Sequence, residues 1–177
     1  YSCVVYGCVR RSAIAMAGRC LRLLAWLTVR APHAVIALGE TMAERMSGTR
    51  SVVVVNNWAD EEAIVPIALR DCAIRREWGW SDKFVVLYSG NAGRGHTFDA
   101  LCEATFRCRD DAQIAFVFIG AGRKSQDIRA VAAARQLSNV VFLDYLPRGA
   151  LSFSLSAAGV SIVTVDPTVA GRQVPSQ

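Results

Sequence analysis

Residues 84–97 read FVVLYSGNAGRGHT, an apolar run that leads directly into a glycine-rich turn. A continuous apolar run of this length is typical of a strand buried on both faces of a parallel sheet. A second such pair occurs at residues 114–124, where IAFVFI precedes GAGRK. Two strands that each end in glycine predict a parallel α/β sheet with both loops at one edge.

That edge of the predicted sheet is a candidate anion-binding site. Ligands of such sheets bind beyond the carboxyl ends of the strands, where glycine allows close backbone approach and the next helix offers free N–H groups. The candidate residues are Gly90, Asn91, Gly93, Arg94, His96, Gly120 and Gly122. The alternative is a tight turn that needs glycine for its geometry only, and the two loops by themselves leave both interpretations open.

The rest of the chain alternates β-branched runs with segments of helical period. We predict strands at residues 34–38, 51–55, 84–89, 114–119, 140–143 and 160–165. We predict helices at 10–30, 40–46, 70–78, 98–108, 123–136 and 148–157, with Thr97 as N-cap of the helix at 98. This order predicts the α/β class, a Rossmann-like parallel sheet with flanking helices. The polar segment NNWADEEAIVP at 56–66 predicts a linker between the tail of one α/β domain and most of a second.

Composition excludes several classes of protein. The chain of 177 residues is 53% hydrophobic and 20% charged, which excludes a disordered or low-complexity chain. Its six cysteines form no Cys-x-x-Cys pair and it has only two histidines, so we expect no metal site and reduced thiols. The net charge of +5 lies in the first 50 residues, which hold seven Arg and two Glu. Nucleic-acid binders spread basic residues over a patch with interleaved aromatics, so no nucleic-acid partner is predicted.

Four of these seven arginines form one stripe of the helix predicted at residues 10–30. At 100° per residue the stripe covers an arc of about 100° and consists of Arg11, Arg19, Arg22, Trp26 and Arg30. A basic stripe with an interfacial Trp beside a broad apolar face is typical of a helix lying on an anionic membrane surface. A helix packed on its own domain is the alternative, and a transmembrane span is disfavoured by the interior arginines. The predicted location is the cytoplasm, with peripheral attachment to the inner face of the plasma membrane if the stripe binds lipid.

Two nucleotide-binding motifs are matched incompletely. Residues 90–97 have the spacing of the P-loop G-x-x-x-x-G-K-[ST], but His96 stands where Lys is required. A histidine near neutral pH does not replace the permanent charge of that Lys, and Asp166, the candidate magnesium ligand, is followed at once by Pro167. A degenerate P-loop NTPase is therefore a minor alternative. The glycine spacing also departs from the dinucleotide pattern G-x-G-x-x-G.

Several short motifs, taken in order, resemble those of one enzyme family. They are NWAD at 57–60, YSGNAGRGH at 88–96, FIGAG at 118–122, NVVFLDY at 139–145 with Pro147, and VPS at 174–176. As a set they resemble the bacterial family 4 glycosyltransferases, and within them the colanic-acid and exopolysaccharide branch, over residues 34–177. The resemblance implies the GT-B fold, in which two Rossmann-like domains face each other across a cleft. It assigns residues 1–55 to the C-terminal part of the acceptor domain, 56–69 to the interdomain linker and 70–177 to the donor domain.

The same resemblance implies the roles of individual residues. Contacts to the donor diphosphate are implied for Gly90, Asn91, Gly93, Arg94, His96, Gly120, Gly122, Pro175 and Ser176. Leu143, Asp144 and Tyr145 fall where the family lodges the nucleobase, with Tyr145 as a stacking surface. Gln177 stands where the family segment Val-Pro-Ser-Lys has Lys, which weakens a positive contact there. No catalytic residue is assigned.

The implied reaction moves a hexosyl group from a nucleoside-diphosphate-sugar to a glycan acceptor, with retention of anomeric configuration. The resemblance suggests a lipid-linked acceptor and a role in cell-surface polysaccharide synthesis. The nucleotide-sugar is a substrate, so no cofactor is expected. The segment, which the resemblance leaves truncated at both ends, is expected to be inactive by itself. The competing class is a non-enzymatic Rossmann-like nucleotide-binding module, which the residue pattern leaves open.

Overall fold

The computed structural model describes the backbone of residues 2–46, 51–58 and 60–169, and the side chains of residues 14–28, 30–46, 51–58 and 60–169. The chain divides into two compact units, Tyr1–Asn57 and Trp58–Gln177. The division falls near the start of the predicted linker at 56–69. The assignment of the two parts to acceptor and donor domains stays a prediction.

The first unit combines one long helix with a small parallel sheet. Its elements are α1 (Ser2–Arg30), β1 (Val35–Ala37), α2 (Glu40–Arg45) and β2 (Val52–Val54). Strands β1 and β2 are parallel, with Val35 opposite Val52. Helix α1 begins at Ser2, well before the predicted residue 10. It ends at Arg30, just ahead of Pro32, because a proline disfavours helical geometry in the residue that precedes it.

The second unit is a four-stranded sheet with helices between its strands. The elements are α3 (Ala73–Glu77), β3 (Phe84–Ser89), α4 (Asp99–Arg107), β4 (Ile114–Ile119), α5 (Ser125–Ala134), β5 (Val140–Leu143), α6 (Leu151–Ser156) and β6 (Val160–Ser161). The strand order is β5-β4-β3-β6 and every pairing is parallel. The predicted Rossmann-like parallel sheet with flanking helices is confirmed.

Apolar side chains cover both faces of this sheet, as the unbroken apolar runs predicted. On one face Tyr88, Phe116 and Phe118 pack with Phe98 and with Ile128 of α5. On the other face the buried residues are Trp80, Val85, Leu87, Val117 and Ile119, with Leu155 of α6 packed against them. Helices on both faces exclude water from β3 and β4, so the ends of these strands are held rigidly at the carboxyl edge.

Two predicted helices are shorter than expected because each begins with a 3₁₀ turn. Residues Leu69–Asp71 form such a turn, and Cys72 then takes an extended conformation in which its buried thiol donates to the carbonyl of Phe153, at 3.2 Å. Helix α3 therefore starts only at Ala73. The segment predicted at 148–157 likewise consists of the 3₁₀ turn Arg148–Ala150 followed by α6.

The strand predicted at 160–165 begins where predicted but is shorter, and the cap predicted at Thr97 is wrong. Strand β6 pairs with β3 only at Val160 and Ser161, because beyond Ile162 the chain leaves the sheet and binds the first glycine loop instead. Helix α4 begins at Asp99, and its N-cap position is occupied by Phe98 without a side-chain cap. Phe98 is buried against Tyr88, with ring centroids 4.8 Å apart, and this aromatic packing sets the helix start.

A buried arginine, Arg75, holds together the elements that pack on the second apolar face of the sheet. Arg75 is 7% exposed, and its guanidinium donates to the carbonyls of Ala157 at 2.6 Å, Trp80 at 2.7 Å and Lys83 at 2.6 Å. These bonds join α3 to the end of α6 and to the approach to β3. A buried charge is tolerated when its donors are satisfied, and here the partners are main-chain carbonyls.

Candidate functional site

The two glycine loops form one continuous surface at the carboxyl edge of the sheet. Ser89 at the end of β3 lies opposite Ile119 at the end of β4, and the N–H of Gly90 donates to the Ile119 carbonyl at 2.9 Å. Farther out, the N–H of Ala92 donates to the Ala121 carbonyl at 2.7 Å, and the N–H of Lys124 donates to the Ala92 carbonyl at 2.9 Å. The structure thus brings residues 90–96 and 120–124 together.

Glycine is required at two positions by the contact between these loops. Gly120 has φ +118°, and a Cβ there would overlap the carbonyl oxygen of Gly90 and lie 3.0 Å from Tyr145 Cε1. Gly122 has φ +133°, and a Cβ would lie 2.5 Å from Asn91 Oδ1. At Gly93 a Cβ would come no closer than 3.7 Å to any neighbour, at Asn91 Nδ2. Turn geometry therefore explains the glycines at 120 and 122, but it does not explain Gly93.

Several main-chain donors of the two loops are left available. In the part of the chain that the structure describes, the N–H groups of Asn91, Arg94, Gly95 and Gly122 have no protein acceptor. The Arg94 side chain is exposed, and among the described residues no carboxylate forms a salt bridge with it. Unpaired N–H groups next to a free guanidinium are the donor set that an anion such as a diphosphate requires.

The first loop is anchored at its far end by contacts that the sequence did not predict. His96 Nδ1 lies 2.7 Å from the Thr164 carbonyl oxygen, and the Lys124 Nζ donates to the His96 carbonyl. The N–H of Asp166 donates to the Gly95 carbonyl at 2.8 Å. Asp166 is itself engaged, since its Oδ1 accepts hydrogen bonds from Thr168, and these bonds lower the pKa of its carboxyl.

The end of β5 brings the predicted nucleobase residues next to the second loop. The Leu143 carbonyl accepts the N–H of Gly120 at 3.0 Å, Leu143 is half-buried, and Asp144 and Tyr145 are exposed. The Tyr145 ring, 59% exposed, lies beside Gly120. On the inner side, buried Tyr88 donates its hydroxyl to the Asn91 carbonyl at 3.2 Å, and burial raises the pKa of Tyr88 to about 12.

The basic helix is exposed on all the faces that the structure describes. Arg19, Arg22, Trp26 and Arg30 are exposed, and the Arg30 guanidinium lies over the Trp26 ring, 4.9 Å from its centroid. The side chain of Arg11 lies outside the described residues, as do Pro175 and Ser176. Among the helices described, none is long and apolar enough to cross a membrane. No group of three or more potential metal ligands occurs in the described part of the chain.

No family model matches the chain. It is similar to a curated protein, the probable glycosyltransferase WbjE of Pseudomonas aeruginosa, with 29% identity over 136 residues. The match covers 77% of this chain and 34% of WbjE, so the chain spans about a third of the length of its relative.

Solved structures reproduce the fold. HepE of Anabaena in complex with UDP-glucose matches with a TM-score of 0.65 at 19% identity, over 80% of this chain and 40% of HepE. Sucrose-phosphate synthase of Thermosynechococcus elongatus matches with a TM-score of 0.59 at 18% identity, over 72% of this chain and 34% of the synthase. These neighbours are GT-B glycosyltransferases. The sheet has the Rossmann-like fold of such enzymes.

Proposed function

We propose that the protein is a retaining family 4 glycosyltransferase of the exopolysaccharide type. It transfers a hexosyl group from a nucleoside-diphosphate-sugar to a lipid-linked glycan acceptor. Similarity to WbjE and to GT-B structures supports this proposal. The observation that carries it is the joined pair of glycine loops at the edge where such sheets bind ligands, with N–H groups and an exposed Arg94 that no described residue engages.

In this proposal the two loops hold the donor diphosphate. As the bond between the anomeric carbon and the diphosphate oxygen breaks, the electron pair leaves with the diphosphate, which gains negative charge. N–H donors fixed in the main chain stabilise that charge without reorganising, which is how prearranged dipoles lower a barrier, and the Arg94 guanidinium adds a positive charge. The diphosphate contacts are assigned to Gly90, Asn91, Gly93, Arg94, Gly120 and Gly122, with Pro175 and Ser176, while His96 lies in the first loop beside them.

The nucleobase is assigned to the end of β5. Tyr145 offers an exposed ring beside Gly120, and Leu143 and Asp144 precede it on the same segment. An aromatic side chain contributes about 1–3 kcal/mol per stacked base.

Helix α1 is proposed to lie on an anionic membrane surface, where a lipid-linked acceptor is found. Its residues include no Asp or Glu, and the described arginines of the stripe are exposed beside Trp26. The apolar side chains of the helix are exposed as well, among them Leu21, Leu23 and Leu24. An apolar face with a basic margin is the arrangement of interfacial helices.

Arg94→Ala in the full-length protein tests the donor site. One charge-assisted contact contributes about 1.5–3 kcal/mol, so affinity for the nucleoside diphosphate should fall about tenfold to a hundredfold. Titration calorimetry with UDP and with GDP measures the effect. Arg70→Ala is the control, because Arg70 is also exposed but lies in the 3₁₀ turn before α3 and pairs with Asp71 at 3.5 Å. Unchanged affinity in Arg94→Ala would contradict the assignment, and binding without sugar transfer would favour the non-enzymatic module.

A further inference from the structure

The hydrogen bond at His96 fixes which ring nitrogen carries the proton. Nδ1 lies 2.7 Å from the Thr164 carbonyl oxygen and 3.2 Å from Thr164 Oγ1. A main-chain carbonyl can only accept a hydrogen bond, so Nδ1 must be the donor. In a neutral imidazole with Nδ1–H, Nε2 has a lone pair and no proton, and it can only accept.

The ring is held in this orientation by its surroundings. The Tyr88 and Phe98 rings lie beside it, with centroids 6.1 Å and 6.2 Å from that of the imidazole. The main chain is fastened as well, because Lys124 Nζ donates to the His96 carbonyl and the N–H of Asp166 donates to the Gly95 carbonyl. Among the described residues, none donates to Nε2, and the side chain is only half-buried. In the neutral ring, Nε2 is therefore an acceptor that no described residue engages, in a loop that otherwise offers donors.

We propose that Nε2 of neutral His96 accepts a hydrogen bond from a hydroxyl group of the nucleotide-sugar, and that the Thr164 carbonyl positions the ring for it. This inference rests on the proposed function. A diphosphate oxygen has no proton to donate and is repelled by a lone pair, whereas the ribose and the sugar both present hydroxyl groups. His96 thus recognises a hydroxyl group of the ribose or of the sugar, while the N–H groups and Arg94 bind the negatively charged diphosphate.

Two variants separate the nitrogen atoms of the ring. In His96→Asn the side-chain amide lies where Nδ1 lies, so it keeps the bond to Thr164 but loses the acceptor at Nε2. In His96→Gln the longer side chain brings its amide oxygen to the position of Nε2 and keeps an acceptor there. Thr164→Val is the matched control, because it removes Oγ1 at 3.2 Å but leaves the main-chain carbonyl at 2.7 Å.

Titration calorimetry of the full-length variants with UDP-glucose, UDP and inorganic pyrophosphate tests the contact. We expect His96→Asn to bind UDP-glucose about threefold to tenfold more weakly, the loss of one neutral hydrogen bond, and to bind pyrophosphate as the wild type does. His96→Gln and Thr164→Val should retain most of the affinity. Weakening for UDP-glucose alone indicates a sugar hydroxyl, and equal weakening for UDP indicates a ribose hydroxyl. Weaker binding of pyrophosphate by His96→Asn would overturn the proposal.

The tautomer has a readout that needs no ligand. Nitrogen-15 spectra of histidine-labelled protein, with the His96 signal assigned by its loss in His96→Asn, should give a protonated Nδ1 and an unprotonated Nε2. A protonated Nε2 in the neutral ring would overturn the inference whatever the protein binds. If the wild type binds GDP but none of these three probes, the same variants are titrated with the GDP-sugar. If it binds neither GDP nor these probes, the proposed donor and the hydroxyl contact both fail, and the spectrum still decides the tautomer.

Discussion

Alanine substitution can separate the glycines that the loop geometry requires from Gly93, which we propose faces a ligand. Gly120→Ala places a Cβ against the carbonyl oxygen of Gly90, and it forces an L-residue to a φ of +118°. Such a backbone conformation costs about 1–3 kcal/mol, and overpacking against backbone that cannot yield costs a further amount of about 1–3 kcal/mol. We expect Gly120→Ala to lower the free energy of unfolding of the second unit by about 2–6 kcal/mol.

Urea unfolding followed by tryptophan fluorescence measures this change, since Trp80 is buried in the second unit. A domain is stable by only about 5–15 kcal/mol, so the shift in the unfolding midpoint should be large. Gly149→Ala is the control, because a Cβ there meets nothing within 4 Å, and we expect a change within about 0.5 kcal/mol. Stability of Gly120→Ala equal to that of the wild type would refute the packing argument.

Gly93→Ala tests the other half of the argument. Its Cβ would be in ordinary contact at 3.7 Å, so we expect stability within about 0.5 kcal/mol of the wild type. If the diphosphate approaches this part of the main chain, the added methyl group should nevertheless weaken UDP binding about tenfold or more, by roughly 1.4 kcal/mol. A stable Gly93→Ala variant with full affinity would contradict the contact assigned to Gly93.

Two further predictions concern the basic helix and the buried tyrosine. Changing the basic stripe to Gln should release the full-length protein from phosphatidylglycerol liposomes in a salt-sensitive manner, because each basic residue contributes about 1 kcal/mol at an anionic surface. The variant replaces Arg11, Arg19, Arg22 and Arg30. Equal co-sedimentation of the wild type and this variant with liposomes would favour a helix packed on protein. Burial raises the pKa of Tyr88 to about 12, so the unfolded chain loses this proton first and stability should fall as pH rises from about 10 to about 12. In urea unfolding at several pH values, Tyr88→Phe should not show the loss of stability that the ionisation of Tyr88 causes in the wild type. If Tyr88→Phe lost as much stability as the wild type over this pH range, the assignment to Tyr88 would be contradicted.

The sequence predicted the sheet well because its signals are local. Strands β3, β4 and β5 have the predicted bounds, since unbroken apolar runs such as Phe84–Ser89 have only one way to be buried on both faces. The glycines that follow two of these strands located the candidate site. The errors occurred where tertiary contacts override local preference, as in the short β6, and at α4, whose start is set by the packing of Phe98 and not by Thr97.

The partners of the first glycine loop could not be predicted from the sequence. His96 and Thr164 are separated by 68 positions, and Lys124 is 28 positions from the carbonyl it binds. Neither pair has a spacing or a motif that distinguishes it from any other exposed polar residues. The burial of Arg75 could not be predicted either, because a charged residue in a short amphipathic segment predicts a solvated side chain. Only the fold brings together the main-chain carbonyls that accept hydrogen bonds from its guanidinium.

The structure also changes which groups we propose as donors to an anion. The sequence suggested that the helices after the glycine loops would offer their N-terminal N–H groups, but the first turns of α4 and α5 contain Asp99 and Asp127. A carboxylate in the first turn already offsets the positive end of a helix dipole and repels a second anion. The two loops, in contrast, contain Arg94, Arg123 and Lys124 and no acidic residue. We therefore propose that a diphosphate binds to the main chain of the two loops and to Arg94 and not to either helix terminus.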